Sequence, residues 1–592
     1  MHILITVTII PILFALPCFF VKRAAFWIAL LLSVFETVMA ALIFFYGSSV
    51  AAANLKAQTL GCGVFLAASV FALLITVYSM DYMKKNERIG EYYGYILIAL
   101  GSAAGVFFAA DYFTLLLFWG IVGAMLYLLT GISGAGAASA AKKTFIIVGG
   151  SDSLMMFGIG IILFMTKNLT VGGIPIQLSG YLPAFAFLAL MSGALAKAGA
   201  MPFHSWVPEC ADHAPIPVAA FFPASLDKLL GIYLLFRLCT DVFIVTPNSP
   251  ASILLMAIGS LTIIGAVMAA MVQHNLKKLL SFHAVSQVGY MVLGIGTALP
   301  IGMAGALFHM FNNTIYKTCL FLTGGSVEKE ANTDDLEHLG GLARMMPVTF
   351  ASAAIAALSI SGIPPFNGFF SKWMIYQGVI ELSRTSSLWI FWLVAAMLGS
   401  ALTLASFVKF MHAVYLGQAS KMTAHAKEVH WTMWLPPAIL AGFCVLFGIF
   451  AYSIPLPLLV LPSVKGLIYA GSWDPFLATC LLAAAFLMGL FIYWLGKEKN
   501  TTSRPAYIGG ELMDAEEVKV SGAGFYDTIK EYGPLGLMFK YAEEKLFDIY
   551  ELGKKLVGFL FEILDILHNG LLHTYMAWMF LGFALILFLL IR

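Results

Sequence analysis

Residues 193–206 read "GALAKAGAMPFHSW". The run is apolar enough to lie inside a membrane-spanning helix, yet it holds Lys197 and, five residues later, Pro202. An ammonium near the centre of a bilayer costs about 2.5–3.5 kcal/mol on insertion scales, and a proline inside a helix frees a carbonyl that lipid cannot satisfy. A second stretch, "SGIPPFNGFFSK" at 361–372, repeats the pattern with Pro364, Pro365 and Lys372. In helical register Pro202 frees the carbonyl of Ala198, and Pro364 and Pro365 free those of Ile360 and Ser361. Such breaks persist at membrane depth only where they are buried in protein or line a wet cavity, and a pair of them points to a transport path.

The rest of the chain fits that setting. Its 592 residues have a mean hydropathy of +0.91, with 61% hydrophobic and 11% charged residues, too apolar for a soluble fold. The expectation is an all-α polytopic membrane protein with about sixteen transmembrane helices of ~20 residues each. The net charge of +2 says nothing about partners, and no basic, aromatic-interleaved patch suggests nucleic acid. Seven scattered cysteines without a CxxC spacing predict neither a disulfide framework nor a metal or iron–sulfur site in this chain. The N-terminal run resembles a signal peptide, but Lys22 and Arg23 follow it and no small-residue cleavage site is evident, so it reads as a retained first span. Basic residues gather after odd-numbered spans, as at Lys84, Lys85 and Arg88, at Lys142 and Lys143, and at Lys277 and Lys278, which predicts an N-terminus outside.

The coarse organisation follows. N-terminal helices occupy 1–92, two central groups of spans 93–237 and 251–416, and further spans 433–496. A polar linker and one long amphipathic helix fill 500–565, and a final anchor 571–592. The amphipathic stretch reads as lying on the membrane surface or against partner helices, its charges a solvated face.

Buried charge clusters around the breaks. The candidates for a proton relay are Asp152, Lys197, Asp227, Lys228, His283, His309, Lys317, Lys372 and Lys409, with His412 beside the last. A desolvated lysine titrates closer to neutrality, and a carboxylate that moves nearer or away tunes it, so a series of such groups can load and release protons. Plainer readings stand beside this one. Asp227 and Lys228 read equally as a static pair, Lys317 and Lys409 as snorkelling side chains, and His283 and His412 as packed histidines. Glu36, alone in the second span, has no assigned role.

Four stretches together carry a resemblance: "ALAKAGAMPFHSWVPECADHAPIPVAAF", "HNLKKLLSFHAVSQVGYMVLGIG", "ALFHMFNNTIYKTCLFLTGGSV" and "GIPPFNGFFSKWMI". Over about residues 60–420 the chain resembles the antiporter-like membrane subunits shared by respiratory complex I, Mrp-type cation/proton antiporters and energy-converting (Ech-like) membrane-bound hydrogenases. A lateral helix before the last span resembles the largest distal complex I subunit, and "AFFPASLDKLLGIYLLFR" resembles the hydrogenase branch. The resemblance implies two inverted five-helix repeats, at 93–237 and 251–416, each with a broken helix and a half-channel. It implies Lys197 as the lysine of the first channel, Lys372 as the charged residue of the second, and His309 and Lys317 as the connecting residues. Asp152 and Lys228 match an acidic and a basic position of the family. The usual glutamate after Trp119 is absent, because Gly120 stands there, and Asn313 occupies a position where relatives often carry histidine. Asp152, or an acid from a neighbouring subunit, would then modulate Lys197, unless the first channel does not pump.

The reading that results is a proton- or sodium-translocating subunit in the membrane arm of a complex I-related redox complex, an energy-converting hydrogenase first of all. The chain carries no cofactor, and iron–sulfur clusters and a NiFe centre are expected in partner subunits. Its partners would be other membrane-arm subunits, a peripheral redox module and the lipid bilayer of the cell membrane. A subunit of a free-standing Mrp-type antiporter and a non-pumping scaffold are the alternatives. A membrane enzyme fits poorly, since no nucleophile and base stand at short spacing.

Overall fold

The computed structural model describes residues 3–47, 50–464, 466–467, 475–495, 522–531 and 533–591. It is built from α1 (Ile3–Phe20), α2 (Lys22–Tyr46), α3 (Thr59–Tyr82), α4 (Ile89–Phe108), α5 (Tyr112–Thr130), α6 (Ala138–Thr166) and α7 (Tyr181–Ala198). There follow α8 (Trp206–His213), α9 (Ile216–Phe221), α10 (Asp227–Arg237), α11 (Pro250–Met271), α12 (Leu276–Gly296), α13 (Pro300–Ala331), α14 (Pro347–Ser361) and α15 (Asn367–Glu381). The last are α16 (Trp389–Met411), α17 (Trp431–Ile449), α18 (Pro475–Leu495), α19 (Gly533–Glu543), α20 (Ile549–Leu567) and α21 (Leu572–Ile591).

Among the described residues thirteen helices are long and apolar enough to cross a membrane. The more polar α13, the interrupted pair α14–α15 and α18 bring the expected sixteen crossings together. Two-residue strands at Ala51–Ala52 and Leu55–Lys56 pair antiparallel, and Ile176–Gln177 pairs parallel with Phe243–Ile244. The protein is therefore an all-α polytopic membrane protein.

Two groups of five crossings share their design. In α4 to α10 the fourth crossing is interrupted between α7 and α8; in α11 to α16 it is interrupted between α14 and α15. The last crossing of each group ends in a π-helical turn, at Leu238–Val242 and His412–Leu416. Five is odd, so the second group starts from the opposite side of the membrane and runs inverted. The segment Ile216–Val242 is wholly buried in its apolar window and α12 nearly so, while α13 packs against α9, α10, α12, α14, α15 and α17. The polar helices thus sit where lipid does not reach, the only environment in which their side chains are tolerated.

Residues 533–592 form a compact unit of their own, and 1–532 another. The expected single amphipathic helix is two helices. α19 ends at Glu543, Lys545 takes a left-handed φ of 58°, and α20 starts anew with Asp548 as its N-cap, whose carboxylate accepts from the Tyr550 N–H at 3.0 Å. Residues 522–531, within the segment 500–565 expected to hold the polar linker and lateral helix, pack in the first unit, where the Tyr526 hydroxyl donates to Ala405 O at 2.9 Å. Of the segment 500–565, residues 500–521 lie outside the described residues.

Candidate functional site

The two breaks are built alike. α7 ends with Gly199 at φ 77°, ψ 39°, and α14 with Gly362 at φ 79°, ψ 38°. A left-handed residue here strongly favours glycine, which has no Cβ to clash. In the first, Ala200 N–H donates to Leu195 O at 2.9 Å and Gly199 N–H to Ala196 O at 3.2 Å; in the second, Ile363 N–H donates to Leu358 O at 3.1 Å and Gly362 N–H to Ser359 O at 2.9 Å. These paired bonds are those of a Schellman cap. Glycine, ahead of the prolines, therefore ends each helix. The cap still leaves the next carbonyls over, and they include those that the proline positions predict.

Lysines take them. Lys228 on α10 donates to Ala198 O, and Lys372 on α15 donates to Ile360 O at 2.9 Å. Lys228 makes no ion pair with Asp227: adjacent residues on a helix point apart, and both Asp227 carboxylate oxygens are buried without a hydrogen-bond partner. The static pair read from the sequence is thus corrected. Each break is also tied to the second group of helices. The Met201 N–H donates to Thr262 Oγ1 at 3.2 Å, while Asn312 and Asn367 exchange bonds of 2.9 and 3.0 Å across the second break.

Lys197 turns away from its break. Its ammonium lies 3.4 Å from Trp119 O and 5.1 Å from the Trp119 ring centroid. The same indole donates its N–H to Asp152 Oδ1 at 2.7 Å. A Cβ added at Gly123 would lie 3.4 Å from both Asp152 Oδ2 and Lys197 Nζ, so the two charges face each other across the space this glycine leaves open. Gly120 is exposed, with no atom within 4 Å of where a side chain would begin. Of the acids considered for Lys197, the structure brings Asp152 to it, held by a tryptophan whose role the sequence reading missed. The signal was available, since a buried indole N–H needs an acceptor.

Two further stations lie in the second group. Lys317 and His283 share Phe407: Lys317 donates to Leu280 O at 2.8 Å and stands 5.6 Å from the ring, while His283 Nε2 lies 2.7 Å from Ser406 Oγ and its ring 4.7 Å from that of Phe407. Lys372 and His309 share Tyr290, the ammonium 4.7 Å and the imidazole 5.6 Å from its ring. His309 also bonds Ser371 Oγ at 2.8 Å and Gln287 Oε1 at 3.2 Å, with Tyr316 OH at 3.3 Å. Lys317 is fully buried, which removes the snorkelling reading. Lys409 caps the C-terminal end of α11 through Met271 O at 2.8 Å and Gln273 O at 2.9 Å. His412 stands apart from these groups, its ring 5.1 Å from Phe525. Both amide atoms of Asn313 are buried without a partner.

At one end of the bundle an open cleft of about 470 Å³ is lined by Tyr82, Lys85, His213, Lys277 and Glu328. Lys277 pairs with Glu328 at 2.8 Å and Asp334 at 3.2 Å. Glu328 lies eleven residues beyond Lys317 on α13, three turns along the same face. Sequence reading had named Lys277 only as a basic loop residue and had passed over Glu328.

The chain matches the family model described as NADH:quinone oxidoreductase/Mrp antiporter, TM, over residues 109–403. It is 30% identical over 513 residues to the Na(+)/H(+) antiporter subunit A1 of Staphylococcus haemolyticus (strain JCSC1435), an alignment covering 78% of this chain and 61% of that protein. The chain thus spans about three fifths of that relative's length. In fold it resembles a chain of the membrane-bound sulfane sulfur reductase, an archaeal respiratory membrane complex, with a TM-score of 0.80, 22% identity and 99% of both chains covered. A chain of the Mrp complex from Dietzia sp. DQ12-45-1b gives a TM-score of 0.70 at 19% identity, over 77% of this chain and 96% of that one. The chain accordingly belongs to the family of antiporter-like membrane subunits found in complex I-type oxidoreductases and Mrp antiporters.

Proposed function

We propose that this chain is a cation-translocating subunit in the membrane part of a multi-subunit complex of the cell membrane, passing protons, or sodium, along its buried lysines and histidines. One observation supports this most. At two membrane-depth breaks a lysine holds a backbone carbonyl that the break has left over, Lys228 on Ala198 and Lys372 on Ile360. A carbonyl is a partner without charge, and among the described residues no carboxylate forms an ion pair with Lys317 or Lys372. Their charge is therefore free to respond when a neighbour's charge changes. The path would run from Asp152 and Lys197 through Lys228, Lys317 and His309 to Lys372 and Lys409, with Asp227 and His283 beside it. Asn313 and the buried Asp227 oxygens are among the polar groups that water in such a path would satisfy.

The finer reading is the membrane arm of a redox complex, an energy-converting hydrogenase or a relative, with iron–sulfur and NiFe chemistry in partner subunits. The fold likeness over 99% of both chains to a respiratory membrane complex supports it. The basic loops after odd-numbered spans support an outer N-terminus. A second reading, a subunit of an Mrp-type antiporter, is supported by the relative from Staphylococcus haemolyticus. Inverted vesicles carrying the intact complex separate the two. Proton uptake that requires an electron donor supports the redox arm, collapse of an imposed pH gradient by added sodium alone supports the antiporter, and neither response overturns translocation.

A further inference from the structure

Among the buried ionisable groups that the path above leaves unused is Glu36. Glu36 lies near the middle of α2, is 0% exposed, and both its carboxylate oxygens lack a hydrogen-bond partner. It sits on the buried stripe Ala25, Ala29, Ser33, Glu36, Ala40 and Ile43, whose small residues let α2 pack closely on α1, α3 and α4.

Hydroxyls gather at its depth. Ser33 Oγ lies 3.4 Å from Thr76 Oγ1, and Thr37 Oγ1 donates to Ser69 O at 3.2 Å, which fixes the antiparallel register of α2 on α3 and brackets Glu36. On α1 the contact of Cys18 Sγ with Ala25 O at 3.9 Å sets a register that brings Thr8 to the same depth. Most of these hydroxyls have spent their proton on a backbone carbonyl. Thr8 donates to Leu4 O at 2.9 Å, Thr37 to Ser33 O at 2.8 Å and Ser69 to Phe65 O at 2.8 Å. Ser33 and Thr76 spend one proton between them, and what the other three have left is lone pairs, so acceptors predominate at the level of the carboxyl. The charge that would balance it is not in the helices around it. α1, α3 and α4 contain no lysine, arginine or histidine, and their ionisable groups are Cys18, Cys62, Tyr78, Asp81, Tyr82, Glu91, Tyr92, Tyr93 and Tyr95. On α2 itself Lys22 and Arg23 are more than ten residues away, roughly 20 Å along the helix.

A buried carboxylate at a level where acceptors predominate, with no hydrogen-bond partner and no counter-ion in the helices around it, calls for a small hard cation, and hard cations take oxygen ligands of this kind. We propose that Glu36 and the hydroxyl oxygens of Thr8, Ser33, Thr37, Ser69 and Thr76 form a monovalent-cation site in the α1–α4 bundle, occupied in turn by a proton and by sodium and separate from the lysine path.

The test uses the intact complex in detergent. A lipophilic carbodiimide, which adds to protonated carboxyls in apolar surroundings, is applied as sodium replaces choline at constant ionic strength, and the peptide containing Glu36 is followed by mass spectrometry. Thermal unfolding is measured in the same series for wild type and Glu36→Gln. The site predicts labelling at Glu36 that falls several-fold as sodium rises, together with a sodium-dependent rise in Tm that Glu36→Gln lacks. If the reagent fails to reach the bundle, the Tm difference alone decides. A Tm response to sodium that is the same in both proteins, or absent from both, overturns the proposal and leaves Glu36 a permanently protonated packing residue.

Discussion

Trp119 does two jobs with one side chain, donating its N–H to Asp152 and offering its ring face and backbone oxygen to Lys197. Trp119→Phe keeps the ring and deletes the donor. A hydrogen bond to a charged group contributes about 1.5–3 kcal/mol, so cation flux through the assembled complex is expected to fall about tenfold or more, with the amount of complex unchanged. Flux within twofold of wild type would sever Asp152 from the path. Gly120 gives a sharper test of which acid serves Lys197. Because the position is exposed, with no atom within 4 Å of where a side chain would begin, Gly120→Glu is expected to leave flux unchanged and to fail to rescue Asp152→Asn. Rescue would show that the family's usual glutamate position reaches Lys197 after all. The sequence offered Asp152 as one candidate to modulate Lys197 and showed Trp119, but not that the indole stands between them. Their partnership depends on how α5, α6 and α7 pack.

The breaks, by contrast, were legible at the scale of the element. Gly199 with Pro202 and Gly362 with Pro364 and Pro365 announce them, and the carbonyls of Ala198 and Ile360 were identified from the register of the prolines alone. Which side chain would capture each carbonyl was not, because Lys228 arrives from another helix while Lys372 returns from the far half of its own. Close packing holds these captures in place. A Cβ at Gly231 on α10 would lie 2.5 Å from Ala198 N, and one at Gly448 on α17 would lie 1.9 Å from Pro365 O. Overpacking costs about 1–3 kcal/mol. Gly231→Ala and Gly448→Ala are therefore expected to lower the Tm of the purified complex and to slow flux, whereas Gly442→Ala, with open space at the same helix, changes neither. An unchanged Tm in both close-packed variants would contradict the tight fit. The break between α19 and α20 was missed although its signal was present: Asp548 with Glu551 three residues on is a capping pattern, hidden by the continuous apolar periodicity on either side.

For the whole molecule, composition was enough for the fold class and for sixteen crossings, because length and hydropathy decide what can span a bilayer. Composition is silent about assembly. Residues 533–592 form a separate unit in which α20 carries apolar residues along one face, Leu552, Leu556, Leu560 and Ile563 among them, exposed within the unit. A chain ending at residue 531 is expected to keep the helical content of the first unit and to lose its place in the assembled band on a native gel. Normal assembly of the truncated chain would contradict a role for this unit in holding partners.

The central claim is that the lysines at and beside the two breaks carry the cation. It is tested most directly by cation uptake into inverted vesicles, energised by whichever drive the wild-type complex accepts, with Lys197→Ala and Lys372→Ala compared with wild type and assembly followed on a native gel. The expected result is normal assembly with uptake reduced at least about tenfold in each variant, as befits loss of an essential station. Uptake at wild-type level in both would mean that these lysines serve the fold alone and that no cation passes through them.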